Sequence, residues 1–130
     1  MRIMIIGAAG MLGRKLAAFL AREGTLAANG IRSLHLVDIV EPKAPAGVEC
    51  STGIADLTTV GAAEGLIAHR PDVIFHLGAI VSGEAEQDFE RGYAVNFDGT
   101  RALLEAIRAA HGEDGYTPRL VFSSSVAVFG

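Results

Sequence analysis

Three groups of residues in this chain have the types and spacing for chemistry. Gly7-Ala8-Ala9-Gly10-Met11-Leu12-Gly13 follows the apolar run Ile3-Met4-Ile5-Ile6 and opens an amphipathic stretch. A glycine-rich turn between strand and helix surrounds an anion with backbone N–H groups. The helix N-terminus adds partial positive charge, so the arrangement suits a pyrophosphate. The glycines have separate tasks: Gly7 permits the tight turn, Gly10 lets the backbone approach the phosphates, and Gly13 allows close helix–strand packing. Asp38 ends a second apolar run, Leu34-His35-Leu36-Val37. A carboxylate there can bind both ribose hydroxyls of an adenosine and repels a 2′-phosphate, so the two features together read as a site for NAD. Ser123-Ser124-Ser125 closes the last apolar run. Its hydroxyls can hydrogen-bond a reacting carbonyl or alcohol, while serine clusters also cap helices and fill turns.

Four further segments carry two readings each. His76-Leu77-Gly78-Ala79 follows a strand-like run, and its small residues either admit a ribose or nicotinamide or simply make a tight turn. Asp56-Leu57 either touches adenine or caps the following helix. Asn96 stands with Gly99 and Thr100, three residues of poor helix propensity close together. Its amide either meets a cofactor or ties the helix to a strand or to the cofactor loop. Glu84, Glu86, Asp88 and Glu90 complement the N-terminal dipole of the next helix more simply than they do acid–base work. The four histidines have no metal-ligand spacing: His69 and His111 read as helix ends, His35 as a satisfied strand residue.

The elements that must hold these groups alternate along the chain. Strands are expected at Arg2–Ile6, Leu34–Asp38, Val48–Ser51, Val73–Leu77 and Leu120–Ser123. Helices are expected at Met11–Arg22, Thr58–His69 and Phe89–Ala110. Leu12, Leu16, Phe19 and Leu20 would face inward on the first helix, and Leu103, Leu104 and Ile107 on the last. Gly24–Ser33 is longer than a tight loop needs and should bulge at the surface. Apolar runs alternating with helical periodicity are the mark of a parallel α/β sheet. Right-handed crossovers then give a Rossmann-type doubly wound sheet in three α/β/α layers, strand order 3-2-1-4-5, with the crevice at the carboxyl ends of strands one and four.

Composition agrees. The 130 residues make one domain, residues 1–130, able to bury roughly two-thirds of its unfolded surface. Half the residues are apolar and 16 are glycine, as buried parallel strands with tight turns require. A net charge of −4 offers no footprint for nucleic acid or an acidic membrane. The first apolar run is too short to span a bilayer. Cys50 is alone, which suits a reducing cytoplasm. Leu120–Ser123 would be an apolar edge strand, so we read the chain as the N-terminal portion of something longer, lacking the C-terminal strands and substrate domain.

Together these segments resemble the extended short-chain dehydrogenase/reductase family, the NAD-dependent epimerases and dehydratases, along essentially the whole chain. The residues that carry the resemblance are Gly7-x-x-Gly10-x-x-Gly13, Asp38, Asp56-Leu57, His76-Leu77-Gly78-Ala79, Asn96-x-x-Gly99-Thr100 and Phe122-Ser123-Ser124-Ser125. The resemblance implies NAD contacts at Gly7, Gly10, Met11, Leu12, Asp38, Asp56, Leu57, Leu77, Gly78, Ala79 and Asn96, and an active-site hydroxyl at Ser125. Val81–Glu86 and Gly24–Ser33 are similar to the branch that oxidises a four-carbon sugar acid of the D-erythronate type, which implies that Ser82 lines the substrate pocket. A homodimer is expected of the full-length enzyme. One departure is plain. The family's acid–base pair is a tyrosine with a lysine four residues on, and neither Tyr93 nor Tyr116 has one. Three functions therefore compete: the NAD-binding part of a sugar-acid dehydrogenase, the same part of a nucleotide-sugar epimerase or dehydratase, and a non-catalytic dinucleotide-sensing module.

Overall fold

The computed structural model describes residues 1–80 and 88–124. β1 (Arg2–Ile6) lies at the centre of a five-stranded sheet, with β4 (Ser33–Asp38) on one side and β6 (Val73–His76) on the other. β5 (Glu49–Ile54) flanks β4, β7 (Arg119–Phe122) flanks β6, and every pairing is parallel. The expected order 3-2-1-4-5 is the observed one. β1 explains the layering. Ile3 and Ile5 are buried with Leu20, Leu34 and Leu36 on one face, while Met4 and Ile6 are buried with Val37, Ile74 and Leu103 on the other. A strand buried on both faces needs helices on both.

On the first face, α1 (Met11–Glu23) buries Gly13, Ala17, Leu20 and Ala21. Leu12 and Phe19 are corrected from inward to outward, at 59% and 49% exposed. Gly13 sets the rotation: the helix docks so closely at its first turn that the contact stripe passes through small residues. Gly24, at φ +66°, stops the helix by donating to the Leu20 carbonyl at 2.9 Å. The surface bulge after it holds a small antiparallel hairpin, β2 (Thr25–Leu26) and β3 (Asn29–Gly30). Its turn residues Ala27 and Ala28 sit at φ +48° and +65°, backbone that favours glycine or asparagine.

On the second face the boundaries move. β5 extends to Ile54, past the expected Ser51, because its ladder with β4 runs unbroken from Ser33–Glu49 to Asp38–Ile54 although Ser51, Thr52 and Gly53 offer no apolar signal. α2 shrinks to Ala62–Ile67, since Gly61 at φ +84° precedes it. The long helix is three pieces: α3 (Phe89–Tyr93), a π-helical turn over Ala94–Gly99, and α4 (Thr100–Asp114). Asp88 caps α3 by accepting from Arg91 N at 3.1 Å and Glu90 stands in its first turn, while Glu84 and Glu86 lie outside the described residues. α4 buries Leu103, Ala106 and Ala110, with Ile107 partly buried; its alanines bring the helix close and turn Leu104 outward, 49% exposed. Among the described residues no helix is long and apolar enough to cross a membrane.

Candidate functional site

The sheet order reverses between β1 and β6, and the loops leaving their carboxyl ends diverge there to form a cleft of about 400 Å³. Gly7, at φ +87°, begins the turn after β1, and a Cβ on it would lie 2.5 Å from Gly78 N. The N–H groups of Gly7 and Ala8 both donate to the Val37 carbonyl, at 2.9 and 3.1 Å, fastening the turn to β4. A Cβ on Gly13 would strike the Gly7 carbonyl oxygen and stand 2.6 Å from Ala8 Cα. Gly10 differs. Its φ of −69° is open to any residue, and a Cβ there would meet only the Gly7 oxygen at 3.3 Å. What glycine supplies at Gly10 is bare space beside the turn.

That space borders the start of α1. No side chain caps this helix, and its first turn carries no acid. Met11 and Leu12 are exposed, and the N–H groups of a first helical turn have no partner within the helix. The end of α1 is therefore an open set of donors with a positive dipole, suited to an anion.

Asp38 stands at the end of β4 and already has work. Its Oδ2 accepts from Ala9 N at 2.8 Å and its Oδ1 from Ile39 N at 2.7 Å. Each carboxylate oxygen keeps a second lone-pair direction for a ribose hydroxyl. This anchoring of the glycine turn was not legible in the sequence. Beyond Asp38, Ile39 and Val40 expose more than half their surface along the cleft, an apolar rim for a flat ring. Asp56 holds Thr58, accepting from its N at 2.9 Å and its Oγ1 at 2.7 Å. It thus caps a turn ahead of α2 rather than α2 itself. Leu57 packs on the π-helical turn, where a Cβ on Gly99 would come within 3.1 Å of Leu57 Cβ.

The opposite wall is the loop from Leu77 to Ile80. Asn96 grips it with both ends of its amide: Oδ1 accepts from Ile80 N at 2.8 Å and Nδ2 donates to the Ile80 carbonyl at 2.9 Å. Asn96 thus ties its helical segment to the loop after β6. His76, at the end of β6, is buried against Thr100 and Phe122, and burial pushes its imidazole pKa below the ordinary value.

The cleft thus gathers Gly7, Gly10, Asp38, Asp56, Leu57, Leu77, Gly78 and Ala79. Met11, Leu12 and Gly13 stand in the helix beside it, and Asn96 behind its wall. Ser82 and Ser125 lie outside the described residues. Sequence reasoning missed Arg91 and Val95, which also line the cleft; their i, i+4 spacing on a helix was the available signal. A larger, more open hollow of about 790 Å³ lies beside the hairpin, lined by Met1, Leu26 and Arg119, and has neither glycine turn nor helix N-terminus. Neither tyrosine takes an acid–base position. Tyr116 donates from its hydroxyl to the Pro71 carbonyl at 2.6 Å, and burial raises its pKa to about 12; Tyr93 is half exposed on α3. Among the described residues no three acidic, histidine or cysteine side chains converge on a metal position.

The glycine cradle, the uncapped donors and the Asp38 carboxylate beside them fit a dinucleotide. Comparison with known proteins agrees. The chain is 41% identical over 134 residues to the D-erythronate dehydrogenase of Cupriavidus necator, a match covering all of this chain and 40% of that protein. The solved structure described as a nucleoside-diphosphate-sugar epimerase from Agrobacterium tumefaciens is 56% identical with a TM-score of 0.95, covering all of this chain and 39% of that one. Uronate dehydrogenase from the same organism is 36% identical with a TM-score of 0.72, over 95% of this chain and 40% of its own. This chain therefore spans about 40% of the length of these relatives. The model of the NAD dependent epimerase/dehydratase family matches residues 3–130, and the chain belongs to that family.

Proposed function

We propose that this chain is the NAD-binding part of an oxidoreductase that oxidises a hydroxyl carbon of a small sugar acid of the D-erythronate type. The observation that carries the cofactor half is the uncapped start of α1 beside Gly10, with Asp38 bonded to the same glycine turn through Ala9 N. The N–H groups of Met11 and Leu12 would hold the pyrophosphate over the bare Gly10, with Gly7 and Gly13 keeping turn and helix close. Asp38 would take the adenosine ribose hydroxyls, and Asp56 and Leu57 would border the base. Leu77, Gly78 and Ala79, held by Asn96, would border the nicotinamide half. When bound, NAD supplies the hydride acceptor. Ser125 would hold the substrate oxygen and Ser82 line the substrate pocket. The family resemblance assigns proton removal to a tyrosine–lysine pair that this sequence does not contain. A homodimer and a cytoplasmic location belong to the same reading.

The substrate class rests on the 41% identity to a D-erythronate dehydrogenase. A second reading, epimerisation or dehydration of a nucleotide sugar, is favoured by the 56% identity to the structure described as an epimerase. Two experiments test the proposal. Gly10→Val should lose NAD affinity in calorimetric titration while circular dichroism stays native, because the added branches enter the space beside the uncapped donors. Unchanged affinity would end the cofactor reading. The full-length enzyme, followed by NADH absorbance, should turn over D-erythronate; turnover of nucleotide sugars alone would move the conclusion to the second reading.

A further inference from the structure

His76 is 2% exposed in the wall of the cleft, and its Nε2 lies 2.9 Å from Thr100 Oγ1. That hydroxyl donates its single proton to the main-chain carbonyl of Asn96, 3.0 Å away. Thr100 must then accept from His76, which makes the ring the Nε2–H tautomer. Nδ1 is left a bare acceptor, and it is the buried side-chain nitrogen without a partner among the described residues. Asn96, one link further on, grips the backbone of Ile80. On its other side the His76 carbonyl accepts from Ser123, from N at 3.2 Å and from Oγ at 3.4 Å. Hydrogen bonds, joined through the covalent frames of His76 and Asn96, thus link the end of β7 to the loop that walls the cleft.

We propose that His76 is a positioning residue for the cofactor cleft: a neutral imidazole, fixed as the Nε2–H tautomer, that braces through Thr100 the Asn96 grip on the Leu77–Ile80 loop. A phenyl ring would fill the same space against Phe122 and leave no nitrogen unpaired. What it lacks is the Nε2–H donor. The inference rests on the cleft being an NAD site, but the brace itself can be read without NAD.

Wild type, His76→Phe and His76→Gln are compared, with circular dichroism as the check on folding. In the wild type at neutral pH, long-range proton–nitrogen correlation of the imidazole should find Nε2 protonated and Nδ1 bare; the opposite tautomer overturns the proposal. Without NAD, hydrogen exchange at the Ile80 amide should quicken about three- to tenfold in His76→Phe, the effect of losing one hydrogen bond. His76→Gln, whose amide donor reaches about as far as Nε2, should return it toward wild type. Equal exchange in wild type and His76→Phe, or no rescue by Gln, overturns the brace. The Kd for NAD should rise in the same order, and an unchanged Kd with quickened exchange overturns the role in the cleft. A wild type that protects Ile80 but binds no NAD refutes the cofactor reading, and with it any cofactor role for His76. Should His76→Phe fail to fold, Thr100→Val interrupts the same chain and must quicken Ile80 in the same way; if it does not, the proposal falls.

Discussion

Replacing Gly13 with alanine sets two effects of known sign against each other. In an open helix, glycine to alanine stabilises by up to about 1 kcal/mol, because the backbone loses less entropy on folding. Gly112 in α4 is such a site: a Cβ there meets nothing within 4 Å. Gly13 has the same secondary structure and the opposite surroundings. Its Cβ would strike the Gly7 carbonyl oxygen, stand 2.6 Å from Ala8 Cα and 2.9 Å from Gly7 C. All three are backbone atoms, so no side chain can swing aside. Overpacking typically costs about 1–3 kcal/mol, and the upper end applies where nothing yields. Gly13→Ala should therefore lose about 2 kcal/mol net, roughly 8 °C in Tm for a domain of this size. Gly112→Ala should gain up to about 1 kcal/mol. Urea and thermal unfolding of the two variants measure the difference. If Gly13→Ala is as stable as Gly112→Ala, the close docking of α1 on the glycine turn is wrong.

Asp38→Ala should reduce the preference for NAD over NADP about tenfold, roughly 1.4 kcal/mol of like-charge repulsion removed; titration of both cofactors checks it, and a wild type that binds NADP more tightly refutes it. Stability should fall as pH drops below 6.5. His35, stacked 4.4 Å from His69, and His76 both have pKa values lowered by burial, His35 further by its stacked neighbour. The unfolded chain therefore binds more protons than the native one in that window, and urea midpoints at pH 7.5 and 5.5 should show the loss. A flat profile there would mean that neither imidazole resists its charge. Exchanging Ala27-Ala28 for Asn-Gly should stabilise by about 1 kcal/mol, since both turn residues sit at positive φ; no rise in Tm would show that the hairpin turn carries no strain.

The sheet was legible because its strands are buried on two faces and their apolar runs are nearly continuous, as in Ile3–Ile6 and Leu34–Val37. β5 was underread for the opposite reason: Ser51, Thr52 and Gly53 belong to it through ladder bonds that leave no pattern of side-chain type. Helix faces were misassigned at Leu12, Phe19 and Leu104 because periodicity ranks positions by hydrophobicity, whereas α1 and α4 dock through Gly13, Ala17, Ala106 and Ala110. In the cleft, the glycine turn and Asp38 stood out by type and spacing. Asp38's bonds to Ala9 and Ile39, the two-ended Asn96 grip and the burial of His76 depend on residues brought together from distant parts of the chain. No local spacing encodes them.

β1 sits at the centre of the sheet, and this shapes how the chain is made. It is synthesised ahead of the other strands of its sheet, yet Ile3 pairs with Leu34 on one side and Val73 on the other. The second edge of β1 cannot be paired before β6 has been synthesised. Until then, a short segment rich in β-formers, with no charge after Arg2, keeps that backbone edge open even after β4 has paired with the other. Such distant parallel pairings fold slowly. The nascent chain should accordingly be most prone to aggregation, and most dependent on chaperones, while translation runs from β4 to β6. Slowing translation after residue 76 should help soluble yield more than slowing it before.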